Sequence, residues 1–135
     1  MNLRDTQKHW NMKTQKSNFK EELKKKMHRY VRFIYLVTKN FPKEEIYGAS
    51  SQVRRASLSI ILNYIEGYAR KRPAVQLNFF EISYGSLKES KYLLFFAKEE
   101  LWINEEDCKT GLKDADEIGA MLWTEISALE KKIRK

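Results

Sequence analysis

Cysteine is nearly missing from this chain: Cys108 is the only one among 135 residues, so no intramolecular disulfide can staple the fold. Proline and glycine are also sparse, at two and five residues, which argues against many short strands joined by tight turns. No apolar run approaches the ~20 residues that a membrane-spanning helix needs. Asn2 to Ser17 is largely polar and lacks the apolar block of a signal peptide. These absences lead us to expect a soluble protein in a reducing, cytoplasmic setting. Catalytic signals are lacking as well. His9 and His28 are far apart in sequence, no residues cluster at metal-ligand spacing, and there is neither a glycine-rich phosphate loop nor a nucleophile elbow. The one acid-base pairing worth naming is Glu66 with Tyr68 or Tyr84. The expectation is a protein that is not an enzyme and uses no metal and no cofactor.

What the chain does have is helical periodicity. At 135 residues it is one domain by size. Residues 1–17 show no apolar period and read as a flexible polar and basic arm. From about residue 18 to 39, Phe19, Leu23, Met27, Tyr30, Ile34, Val37 and Phe41 recur at spacings of four and three, and Pro42 ends that element. A second helix is expected over about 44–71, with Gly48 marking a break near its start. A third is expected over 73–100, opening on Pro73 at the first helical position. It carries Leu77, Phe80, Tyr84, Leu87, Lys91 and Leu94 along one stripe. A fourth is expected over 104–133, capped by Asn104, with Glu105, Glu106 and Asp107 offsetting the positive end of its dipole. Its stripe is Cys108, Leu112, Ala115, Gly119, Leu122, Ile126, Leu129 and Ile133. Four helices with short connections predict an all-α, antiparallel up-down-up-down four-helix bundle preceded by a polar N-terminal arm.

The second helix is unusual. One apolar row runs Val53, Ala56, Ile60, Tyr64 and Gly67, and another runs Leu58, Ile61, Leu62, Ile65 and Tyr68. Together they cover most of the circumference, and a helix apolar nearly all round needs neighbours on several sides. Ser57, Ser59, Asn63 and Glu66 are embedded among them and must find hydrogen-bond partners if buried. Self-association is therefore expected from the residues alone.

The run Gln52-Val53-Arg54-Arg55-Ala56, then Ser59-Ile60, Asn63 and Glu66-Gly67, followed by Phe79 to Glu89, resembles a known family. It is the four-helix-bundle family of proteins encoded in 23S rRNA intervening sequences. That family also includes the accessory variability determinant of diversity-generating retroelements. The similarity covers roughly residues 19–133; Ile61 stands where the family usually has proline. The resemblance implies a ring-like homopentamer, binding of RNA or DNA, and a reverse transcriptase as a candidate protein partner. It also marks Arg54, Arg55, Asn63 and Glu66, whose expected use is hydrogen bonding between subunits or specification of the bundle.

Charge points in the same direction. Residues 1–32 hold ten Lys/Arg against three acids, a net +7, and residues 131–135 hold four against none, a net +4. Residues 33–130 hold twelve against fifteen, a net −3. In an up-down-up-down bundle both chain ends and the second connection share one pole. Lys16, Lys20, Lys24, Lys25 and Lys26 should therefore meet Arg70, Lys71 and Arg72 and also Lys131, Lys132, Arg134 and Lys135. Glu44, Glu45, Glu99, Glu100, Glu105, Glu106 and Asp107 belong to the opposite pole. Dipole compensation accounts for cations at the end of the fourth helix, but not for lysines near the start of the first. Counterion release from a phosphate backbone does account for them. Trp10, Tyr30, Tyr35 and Trp102 were weighed as base-stacking residues; core or end-capping duty is the simpler role for all but Trp10. The expectation is a homo-oligomer that binds nucleic acid through a basic bundle end. The alternative is a scaffold that docks an acidic protein.

Overall fold

The computed structural model describes the backbone of residues 3–135 and the side chains of Arg4 and of residues 18–135. Helix α1 spans Leu3–Val37, α2 Ala49–Tyr68, α3 Pro73–Glu99 and α4 Glu105–Arg134, with short 3-10 turns at Thr38–Asn40 and Lys43–Glu45. Consecutive helices run antiparallel and pack in the order α1, α2, α3, α4, with α4 closing back onto α1. This is the expected four-helix bundle. No helix among the described residues is long and apolar enough to cross a membrane.

The expected α1 stripe is buried from Leu23 through Phe41, and the first α2 row is buried at every position. Where the structure departs from expectation, the reasons are local. The backbone of α1 begins at Leu3, so the stretch read as an arm continues this helix; the side chains of Trp10 and Lys16 lie outside the described residues. α2 begins at Ala49 because Lys43–Glu45 forms its own turn ahead of Gly48. It stops at Tyr68 because Arg72 must be extended (ψ 125°) to precede Pro73.

The α3 and α4 seams are also rotated from the expected stripes. Ser83 and Ser90 are fully buried on α3, whereas Lys91, which the expected stripe included, is half-buried and paired with Asp116 of α4. Ser83 donates to the Ile60 carbonyl at 2.7 Å, and Ser90 bonds both the Leu87 carbonyl and the Tyr30 hydroxyl. Two serines thus enter the core without an unmet polar atom. On α4 the buried positions are Cys108, Gly111, Ala115, Ile118, Leu122 and Ile126; Leu112, Gly119 and Leu129 are half-buried, and Ile133 is exposed. Gly111 sits in the seam because a Cβ there would stand 2.5 Å from Phe33 of α1 and 2.9 Å from Leu94 of α3. Burial raises the Cys108 thiol above its ordinary value, and the thiol points at the Leu94 carbonyl.

Helix ends are closed by recognisable devices. Asn104 accepts from the Asp107 amide at 2.7 Å and caps α4. α3 ends in a Schellman motif, with Trp102 N–H bonding Ala97 C=O and Leu101 N–H bonding Lys98 C=O. Leu101 takes the left-handed conformation (φ 63°) that glycine usually fills. The motif delivers Trp102 onto Phe41 and Phe96, with ring centroids 5.2 and 5.6 Å away. Trp102 therefore covers this end of the bundle, as a capping residue should.

Candidate functional site

At the opposite end all four helices contribute to one cluster. The Lys20 ammonium of α1 stands 4.5 Å from the centroid of the Tyr68 ring at the end of α2. The Tyr64 and Tyr68 hydroxyls both donate to the Glu125 carboxylate of α4, and Phe80 of α3 stacks on Tyr64 at 5.2 Å. A cavity of ≈570 Å³ opens here, lined by Phe19, Lys20, Tyr68, Gln76, Glu125 and Lys132 among others. These contacts join the middle of α1, at Phe19 and Lys20, to the end of α2, the start of α3 and the C-terminal third of α4.

The expected cationic residues do not all sit alike. Lys25, Arg70, Lys71, Arg72, Lys131, Lys132 and Arg134 are exposed, and Lys20 is half-buried. Lys24 is paired with Glu21 and Lys26 with Glu117, each at 3.3 Å. They lie one to two helical turns below Lys20, on the flank of the bundle. Arg70 pairs with Glu66, as the i,i+4 spacing predicts, and lies over the Phe79 ring at 5.2 Å. The side chains with the freest reach into solvent are therefore those of the second connection and the C-terminus.

Glu125 was not anticipated. The one acid weighed against a tyrosine was Glu66, which instead makes the i,i+4 pair with Arg70. Burial, the largest influence, raises the Glu125 carboxyl above its ordinary value, although the two tyrosine hydroxyls and Lys20 act in the other direction. Burial and the same hydrogen-bonded cluster push the Tyr64 and Tyr68 hydroxyls up as well. The clue was present in the sequence: Glu125 follows Leu122 by three and precedes Leu129 by four, a core spacing on the cleanest stripe in the chain.

The motif residues of α2 divide by direction. Arg54 turns inward along α1, donating to the Thr38 hydroxyl at 2.7 Å and to the Tyr35 carbonyl at 3.4 Å. Asn63 donates to the Ser59 carbonyl and hydroxyl at 2.8 and 2.9 Å, and Ser59 in turn bonds Ser86 of α3 at 2.8 Å. Arg54 thus bonds across to the end of α1 and its following turn, while Asn63 bonds Ser59 within its own helix. Arg55 is exposed and makes no ion pair among the described residues. In the second apolar row of α2, Leu58, Ile61 and Tyr68 are half-buried, while Leu62 and Ile65 are open to solvent. Leu62 is 59 % and Ile65 45 % exposed, and Ile82 of α3 is 44 % exposed. Tyr30 and Tyr35 are accounted for within the subunit, the first by full burial and the second by Arg54 lying over its ring at 4.7 Å.

Comparison with known proteins bears on the same region. The family model of the 23S rRNA-intervening sequence protein matches residues 20–124. Among solved structures, the chain is similar to a protein of unknown function from the S23 ribosomal protein family of Bacteroides thetaiotaomicron VPI-5482. The TM-score is 0.70 at 23% identity, over 77% of this chain and 97% of that one. This likeness supports the fold. No curated protein matches the chain.

Proposed function

The chain belongs to the 23S rRNA-intervening sequence protein family, and from that premise we propose that it is a non-enzymatic, self-associating protein that binds RNA or DNA through its cationic end. What supports this reading is that Lys20 and Lys132 line one cavity where the four helices meet, with Arg70, Lys71 and Arg72 exposed between α2 and α3 and Lys131 and Arg134 exposed near the end of α4. Cations gathered at one pole gain free energy by displacing counterions from a phosphate backbone. Self-association rests on Leu62, Ile65 and Ile82, whose burial against a second copy removes apolar surface from water. A closed ring of aligned copies would present several cationic poles on one rim and raise affinity by avidity. The family resemblance makes a pentamer the expected ring.

Binding to a labelled single-stranded oligonucleotide, measured across a salt series, tests the reading. Affinity should fall steeply with salt, with a log–log slope near −0.7 for each phosphate neutralised, as expected of single strands. A variant with Lys71→Glu, Arg72→Glu, Lys131→Glu and Lys132→Glu should lose most of that binding while keeping its helical content. Reversal at Lys24 and Lys26 is less informative, since both already pair with acids. Undiminished binding by the four-site variant would refute the proposed surface. A wild-type chain that binds no strand yet co-purifies with a protein partner, an acidic protein or a reverse transcriptase, would favour the scaffold role.

A further inference from the structure

The cavity at the cationic end is more elaborate than charge attraction needs. An electrostatic surface requires only exposed lysines and arginines, yet here a carboxylate is drawn in between four helices. Glu125 sits between Tyr64 and Tyr68, where an apolar side chain would avoid the cost of desolvation. A carboxylate has about four acceptor positions, and the two tyrosines use one on each oxygen. The same residue lines a ≈570 Å³ cavity whose other walls include Phe19 and Tyr68. That volume lies within the range of about 300–1,000 Å³ typical of small-molecule sites. Lys20 and Lys132 also line it, and Gln76 adds an amide. Aromatic walls, a recessed acceptor and cations beside them match the chemistry of one nucleotide: a flat base, an edge carrying N–H donors, and a phosphate.

We propose that this cavity receives a single unpaired base from a bound strand, guanine in first place. Its adjacent ring and exocyclic N–H groups would donate to the free acceptor positions of Glu125, and its phosphate would lie against Lys20 and Lys132. Stacking on aromatic side chains and hydrogen bonding along the base edge are the means by which unpaired bases are read. A carboxylate selects bases that donate and disfavours those that present only acceptors. This inference rests on the nucleic-acid reading above and assigns base preference to a surface otherwise indifferent to sequence. The Glu125 carboxylate is the specificity-determining group, and the surrounding cations supply affinity.

The test compares a labelled twelve-nucleotide oligouridylate with the same strand carrying one central guanine, using the full chain and its Glu125→Gln variant. Glutamine keeps the shape and an acceptor for a tyrosine hydroxyl but replaces the second oxygen with a donor. The wild-type chain should bind the guanine strand about tenfold more tightly. In the variant that preference should shrink to about twofold or less, with the salt slope unchanged. Equal affinity of the wild-type chain for both strands would overturn the pocket while leaving the cationic end intact. If neither strand binds, the cationic-end reading fails, and a titration with guanosine monophosphate decides the pocket. Chemical-shift changes at Thr124 and Ala128, which line it, would sustain the pocket; their absence would end it. Displacement of both strands alike by polyglutamate, with no guanine preference, would overturn it in favour of an acidic protein partner.

Discussion

Arg54 donates from Nε to the hydroxyl of Thr38 at 2.7 Å, tying α2 to the 3-10 turn that follows α1. The Thr38 hydroxyl in turn donates a hydrogen bond to the Ile34 carbonyl at 2.7 Å, so one cation closes a helix end through a hydrogen-bonded relay. Hydrogen bonds to charged groups are worth roughly 1.5–3 kcal/mol, and partial solvation at this site lowers that value. Arg54→Ala should therefore cost about 1–2 kcal/mol in urea unfolding at fixed protein concentration. Its neighbour Arg55 points to solvent, and Arg55→Ala should stay within about 0.5 kcal/mol. Equal losses would show that the inward and outward assignments are wrong.

Leu101 holds a left-handed backbone at the end of α3 and is 89 % exposed. Its side chain contributes little packing, while its Cβ carries a penalty of about 1–2 kcal/mol in this conformation. Leu101→Gly should raise stability by about 1 kcal/mol, seen as a higher thermal midpoint. A lower midpoint would mean that the side chain is covered in the assembled protein.

Two glycines should respond in opposite directions. A Cβ on Gly67 would stand 2.6 Å from Phe80, in a contact that lets α2 and α3 approach closely. Gly67→Ala should destabilise by about 1–3 kcal/mol through overpacking. Gly85 has nothing within 4 Å of such a Cβ, and in a helix interior alanine is better by about 1 kcal/mol. Gly85→Ala should therefore stabilise. Chemical denaturation of the pair separates them by sign.

Burial holds the Glu125 carboxyl above its ordinary value of 4.5 against the opposing influence of Tyr64, Tyr68 and Lys20. The folded chain therefore keeps this proton to higher pH than the unfolded chain does. The associated stability is complete below the unfolded value and is lost as pH rises through the folded one. Glu125→Gln removes that loss. Its stability relative to wild type should climb as pH rises above the ordinary value of 4.5, measured by urea unfolding at each pH. A difference that stays flat with pH would contradict the assignment.

The second apolar row of α2 predicts its own effect. Leu62→Glu with Ile65→Glu leaves the buried row Val53, Ile60 and Tyr64 untouched, so the bundle should stay helical. Charges placed in an apolar contact oppose association. The solution mass, measured by light scattering, should fall toward that of one 16.1 kDa chain. An unchanged mass would exclude this face as the site of self-association.

Much of this protein was legible along the chain. Helix count, the α1 stripe, the Asn104 cap and the Glu66–Arg70 pair follow from spacings of three and four, because neighbours within one helix are set by its local geometry. That α1, α4 and the second connection share one pole follows from helix number and short loops alone. Contacts between helices were harder to read, because they depend on how each helix is rotated about its axis and on its height against its neighbours. Ser83 and Ser90 lie off the stripe expected for α3, and only packing supplied acceptors for them. Arg54 and Arg55 are adjacent in sequence, yet about 100° of helical turn sends one to Thr38 and the other to water. Glu125 meets Tyr64 and Tyr68 only because the end of α4 lies level with the end of α2. The local period thus decided which residues form helices and which poles carry charge, while the close packing of four rods decided which polar groups meet at the cationic end.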